Sequence, residues 1–179
     1  MSQLAFDGWK PFFRSTRPRP KRSDDDIELQ AAKELCRRLI KRVPDLSEDN
    51  FEEMCDDILD AIAYETDGYK IARELESHGW DVDDEIVDVM REASFVRNDV
   101  LDRAVKLWAA DAQAEPQFEV GATVRFSHRG QEVEGVVVKL DLQRAQYIVQ
   151  CASLGHVASG VGVHGIVANF EDVFEVAEK

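Results

Sequence analysis

The sequence predicts an α+β protein: an acidic five-helix N-terminal bundle followed by a small closed β-barrel. Three observations predict it. Apolar residues recur at helical spacing from about residue 24 to 111, then at every second position after residue 120. Pro116 sits where the period changes. The length of 179 residues and the apolar fraction of 44% suit one domain or two small ones with real cores, and exclude a fully disordered chain. The expected organisation is an arm over 1–23, a bundle over 24–111, a linker over 112–119 and a barrel over 120–179.

The arm holds Arg17-Pro18-Arg19-Pro20, which blocks both helix and sheet pairing. Its first half carries Leu4, Phe6, Trp9, Phe12 and Phe13, too many large apolar groups for a solvated tail, so it is expected to dock on a surface. The first helix is expected to start near Ser23 or Asp24. Acids crowd its positive end, and Lys41 and Arg42 stand at the other. Its apolar stripe is Ile27, Ala31, Leu35, Cys36, Leu39 and Ile40, and Pro44 ends it. Ser47 caps a second helix with the stripe Phe51, Met54, Cys55, Ile58, Leu59 and Ile62, broken at Asp67-Gly68. A short third helix carries Tyr69, Ile71, Ala72 and Leu75 and stops at His78-Gly79, where glycine suits a left-handed position. The fourth begins after Asp81 with Ile86, Val87, Val89, Met90 and Ala93. The fifth runs from about Asn98 to Asp111 with Val100, Leu101, Ala104, Val105 and Trp108.

Beyond the linker, Val124-Arg125-Phe126 alternates and Gly130 closes a turn. Val133 to Leu140 reads as a strand, and Ala145 to Gln150 pairs back after a turn over 141–144. Gly155, Gly160, Gly162 and Gly165 mark a loop. Gly165 to Phe170 and Phe174 to Val176 are the last strands, separated by a tight turn. Short strands at this spacing describe a small barrel.

The opening Val120-Gly121, Val124-Arg125-Phe126 and then Val133-x-Gly135-Val136-Val137-Val138 resembles an SH3-like barrel over about 118–178. Such barrels are often appended to nucleic-acid-associated proteins. Several stretches are also similar to the C-terminal module of uncharacterised bacteriophage and prophage accessory proteins. They are Val105-Lys106-Leu107-Trp108, Ala145-Gln146-Tyr147-x-Val149, Leu154-Gly155-His156-Val157, Gly165-Ile166-Val167 and Asn169-Phe170-Glu171-Asp172-Val173. That likeness implies a mobile-element origin and no activity.

The net charge is −14, and it is segregated. Residues 1–23 hold Lys10, Arg14, Arg17, Arg19, Lys21 and Arg22 against Asp7 alone, a net of +5, while residues 24–115 hold 27 acids and 11 bases, a net of −16. The second helix has an outer face of Glu48, Asp49, Glu52, Glu53, Asp56, Asp57 and Asp60, with no base between Pro44 and Asp60. The fourth opens with Asp81, Asp83, Asp84, Glu85 and Asp88. Carboxylates repeated along a helix face can imitate the phosphate row of a duplex and occupy the nucleic-acid groove of another protein. The bland alternative is a solvated face that keeps the protein soluble. The third and fourth helices have helix-turn-helix spacing, but a recognition helix relies on cations at the phosphates, so they read as an ordinary corner.

Other chemistry is weaker. Cys151, His156 and His164 suit zinc or copper by type but lack a fourth ligand, so no metal and no cofactor are expected. The glycines around 155–165 precede a strand, not the helix N-terminus that a phosphate cradle needs. Cys36, Cys55 and Cys151 are odd in number and scattered, which points to a reducing, cytoplasmic setting. No apolar run could span a bilayer and no secretory signal is visible. No pair of titratable groups is placed to polarise a substrate, so no enzyme is expected.

The sequence thus points to a non-enzymatic, mobile-element-type binding protein. It would inhibit a host nucleic-acid-handling or defence protein, of anti-CRISPR or anti-restriction type, with little direct binding to duplex DNA. The partner-binding residues would be Glu48, Glu52, Glu53, Asp56, Asp83, Asp84 and Asp88. The alternative is a nucleic-acid-associated module using Arg125, Arg129, Lys139 and Arg144 with the basic arm.

Overall fold

The computed structural model describes residues 18–63, 65–152 and 165–176. Contacts divide the chain into two compact units that part between Val105 and Lys106. The expected docking of Leu4, Phe6, Trp9, Phe12 and Phe13, and the roles weighed for His156 and His164, lie outside the described residues.

The helical unit begins with α1, Asp25–Arg42. Asp24 does not cap it through its side chain, and its carboxylate instead accepts from the backbone N–H of Lys21 at 2.9 Å. Ser47 opens a 3-10 turn, Glu48–Asn50, by accepting from the N–H of Asp49. That turn feeds α2, Phe51–Ala63. Asp67-Gly68 was expected to break this helix. α2 has ended at Ala63, and the pair also opens the next helix, because the Asp67 carboxylate accepts from the N–H groups of Tyr69 and Lys70 and caps α3, Gly68–Ser77. Gly68 is obligatory for packing: a Cβ there would stand 2.4 Å from the backbone nitrogen of Arg91. Gly79, at φ +91°, takes the left-handed position after α3.

Asp83 caps α4, Asp84–Arg91, and α5 follows over Ala93–Asp111. The expected gap before Asn98 is absent. Nothing between Arg91 and Asn98 is glycine or proline, and the single residue Glu92 between the helices is itself helical at φ −79°, ψ −9°. Counted by the loops that separate them, the helices make four segments rather than five. Leu35, Leu39, Ile58, Ile62, Ile71 and Leu75 are fully buried, each contributing about 1.5–3 kcal/mol. Arg97, 3% exposed, is the buried charge of this unit. It bonds Glu28 at 2.7 Å and the carbonyls of Ile62 and Glu65, so α5 is tied to α1 and to the end of α2.

The second unit is a curled five-stranded antiparallel sheet, compatible with a small barrel. Its strands are β1 Thr123–His128, β2 Gln131–Asp141, β3 Gln146–Gln150, β4 Ile166–Asn169 and β5 Val173–Glu175, in the order β4-β3-β2-β1-β5. Closure by a ladder was expected. Among the described residues β4 and β5 are instead the sheet's two edges, joined by the 3-10 turn Phe170–Asp172. Alternate residues of β2 face inward, Val133, Gly135 and Val137. Gly135 allows strands to approach, since a Cβ would lie 2.4 Å from the carbonyl oxygen of Gln150. At the centre Tyr147 stacks on Phe170 at 4.4 Å, and its hydroxyl accepts from the N–H groups of Gln117 and Phe118 at 2.9 and 3.1 Å. Cys151 is fully buried in this core, and burial pushes its thiol up.

Candidate functional site

The acids of α2 separate by geometry. Its stripe of Met54, Cys55, Ile58, Ala61 and Ile62 is buried, which turns Glu52, Glu53, Asp56 and Asp60 outward. With Glu48 of the preceding turn they form a row stepping about 5.4 Å per helical turn. All five are exposed and none forms an ion pair with a described residue. The four proposed α2-side residues, Glu48, Glu52, Glu53 and Asp56, therefore share one free face.

The α4 residues differ among themselves. Asp83 is spent on capping, accepting from the N–H of Ile86 at 2.9 Å. Asp88 is paired with Arg91 at 2.6 Å, one helical turn away, so unlike the α2 row it has a cation beside it. Asp84 is exposed in the first turn.

Between the start of α2 and the α3–α4 corner lies an open groove of about 460 Å³. Apolar side chains line it, Val43, Leu46, Met54 and Ile86, together with Asp45, Glu53, Asp57, Asp81 and Asp83. Of the seven sequence-derived candidates it gathers Glu53 and Asp83. Its organising residue is one that sequence reasoning placed on the outer face, Asp57. That carboxylate is only partly exposed, accepts from Trp80 Nε1 at 2.8 Å and bonds His78 Nδ1 at 2.9 Å. The Trp80 hydrogen bond, then the His78 bond and charge, hold the Asp57 carboxyl below its ordinary value against the opposing effect of burial. The same hydrogen bond raises His78 above 6.5, opposed by desolvation and helped by the Asp57, Glu74 and Asp60 charges. The signal was present in the sequence: Asp57 follows Met54 by three positions, so it borders the buried stripe, and His78 and Trp80 flank a helix-ending glycine.

Elsewhere several acids meet cations. Burial pushes Glu92 up, but hydrogen bonds from Arg38 and Arg42 outweigh it and hold the carboxyl below its ordinary value. On the sheet, Arg125 reaches Glu132 at 3.5 Å and Arg144 reaches Asp141 at 2.9 Å, while Arg129 and Lys139 are exposed. Cys36 and Cys55 face each other in the helical core, and burial, then the neighbouring thiol, pushes Cys36 up to about 12. No group of three His, Cys, Asp or Glu among the described residues is placed to hold a metal ion. No helix among them is long and apolar enough to cross a membrane.

The chain matches no family model, no curated protein and no solved structure.

Proposed function

We propose that the protein is a non-enzymatic binding protein, of the kind encoded by phages and mobile elements, that blocks the nucleic-acid-handling surface of a host defence or nucleic-acid-processing protein. The observation that carries this reading is the outward row Glu48, Glu52, Glu53, Asp56 and Asp60, exposed and without an ion pair among the described residues, in a unit where Glu28 and Glu92 find arginines. A face that keeps its charge is suited to a cationic partner, and complementary fields speed encounter and disfavour neutral partners. The sheet's strand order, with a 3-10 turn before its last strand, supports reading it as an SH3-like barrel. The rival use of the barrel as a nucleic-acid module is weakened because Arg125 and Arg144 already meet acids.

The test is capture from nuclease-treated bacterial lysate with the wild-type chain and with Glu48→Lys, Glu52→Lys, Glu53→Lys and Asp56→Lys combined. The expected result is a nucleic-acid-binding protein retained by the wild type and lost by the variant. Equal recovery by both would overturn the reading.

A further inference from the structure

We propose that His78, Asp57 and Trp80 form a proton-operated latch that sets the charge and closure of the groove beside the acidic face. The groove is the site concerned, and its role in partner binding rests on the function proposed above.

The latch joins two parts of the chain that are 21 and 23 residues apart. Asp57 projects from the middle of α2, and one of its oxygens takes the indole N–H of Trp80 while the other meets His78 Nδ1. His78 is the residue that ends α3, and Trp80 stands just past the left-handed Gly79. The α3–α4 corner is therefore fastened to α2 through one carboxylate. Trp80, His78 and Asp57 all line the groove.

The charges around His78 favour its cation from several sides. Asp57 and Asp60 come from α2, and Glu74 from α3 has an oxygen 4.0 Å from His78 Nε2. Asp45 and Glu53 line the groove from the start of α2 and the loop before it, with Asp81 and Asp83 on the corner itself. No Lys or Arg is among the lining residues. The ring also sits at a helix C-terminus, where the macrodipole favours positive charge.

Protonated, His78 forms an ion pair with the Asp57 carboxylate on top of the hydrogen bond, and offsets one acid of the groove. Deprotonated, it can still donate Nδ1–H to the carboxylate, but the ion-pair attraction is lost and the groove gains one net negative charge. The corner is thus tightest below the midpoint of His78 and most receptive to a cationic partner above it. Histidine is the side chain whose unperturbed titration falls nearest to neutrality, so modest pH changes operate the device.

The test is an NMR titration of the free full-length protein from pH 5 to 9, following the His78 ring protons and the Trp80 indole N–H. His78 is assigned by comparison with His78→Gln. The expected result is a His78 midpoint above 6.5, with the Trp80 indole signal moving at the same midpoint. In Asp57→Asn the His78 midpoint should fall. In His78→Gln, which needs no loss of the carboxylate, the Trp80 signal should stop titrating in this range. A midpoint at or below 6.5, or a Trp80 signal that still titrates in His78→Gln, would overturn the latch. Because no partner is present, this failure is distinct from failure of the partner reading, which only capture by the charge-reversed variant decides.

Discussion

Two regions of the helical unit use carboxylates in opposite ways. On the α1 and α5 side, Glu28 meets Arg97 and Glu92 meets Arg38 and Arg42. On the outer side of α2, Glu48, Glu52, Glu53, Asp56 and Asp60 are exposed and form no ion pair among the described residues. The first set is held by partners distant in sequence and contributes to the fold. The second leaves its field in the solvent. A net charge of −14 is therefore not spread as a uniform solubilising coat. Part of it is compensated where helices pack, and part is left exposed, the α2 row included.

The comparison can be broken first at Arg97. Replacing it by Ala leaves Glu28 and two backbone carbonyls without their cation. Breaking one half of such a pair costs about 3–5 kcal/mol. Urea unfolding should show a loss of that size, and a loss under about 1 kcal/mol would mean the paired acids do not hold the fold.

Next comes Tyr147→Phe in the sheet, whose central hydroxyl is held by hydrogen bonds and not by an ion pair. It takes the hydroxyl acceptor away from the N–H groups of Gln117 and Phe118, at about 1–3 kcal/mol. The loss should appear in the unfolding of the sheet.

Glu92→Gln is smaller, because its partners are partly exposed and water screens them: about 1 kcal/mol or less. It also has a pH signature. The folded carboxyl lies below its ordinary 4.5, so its contribution is complete above that value and fades as pH falls through the lower folded value. Thermal unfolding of wild type and Glu92→Gln should therefore converge as pH falls below 4.5. Divergence there would contradict the assignment.

The smallest effect on stability belongs to the bare row. Asp56→Lys, beyond the first turn of α2 and exposed, should leave unfolding within about 0.5 kcal/mol of wild type, as for surface changes away from special features. A loss of several kcal/mol would show that the row is structural.

Much of the fold was legible because burial imposes a period. Ile58 and Ile62, or Val133 and Val137, reveal their element by spacing alone. Local chemistry was harder: Asp67-Gly68 reads equally as a break or as a cap, and its role depends on Gly68 meeting the backbone of Arg91. Pairing of acids was hidden for the same reason. Arg38 and Glu92 are 54 positions apart, and Arg97 and Glu28 are 69 apart. The row at Glu48 to Asp56 was visible because it needs only one helix. Asp57 was misplaced because its partners lie beyond α2, at His78 and Trp80.

The most direct measurement is competition on the captured partner. The partner is immobilised with labelled duplex DNA bound, and the protein is titrated in at physiological salt. The account predicts that wild type displaces the duplex and that Glu48→Lys, Glu52→Lys, Glu53→Lys and Asp56→Lys combined does not. Partner, duplex and protein held together in one ternary complex would contradict it.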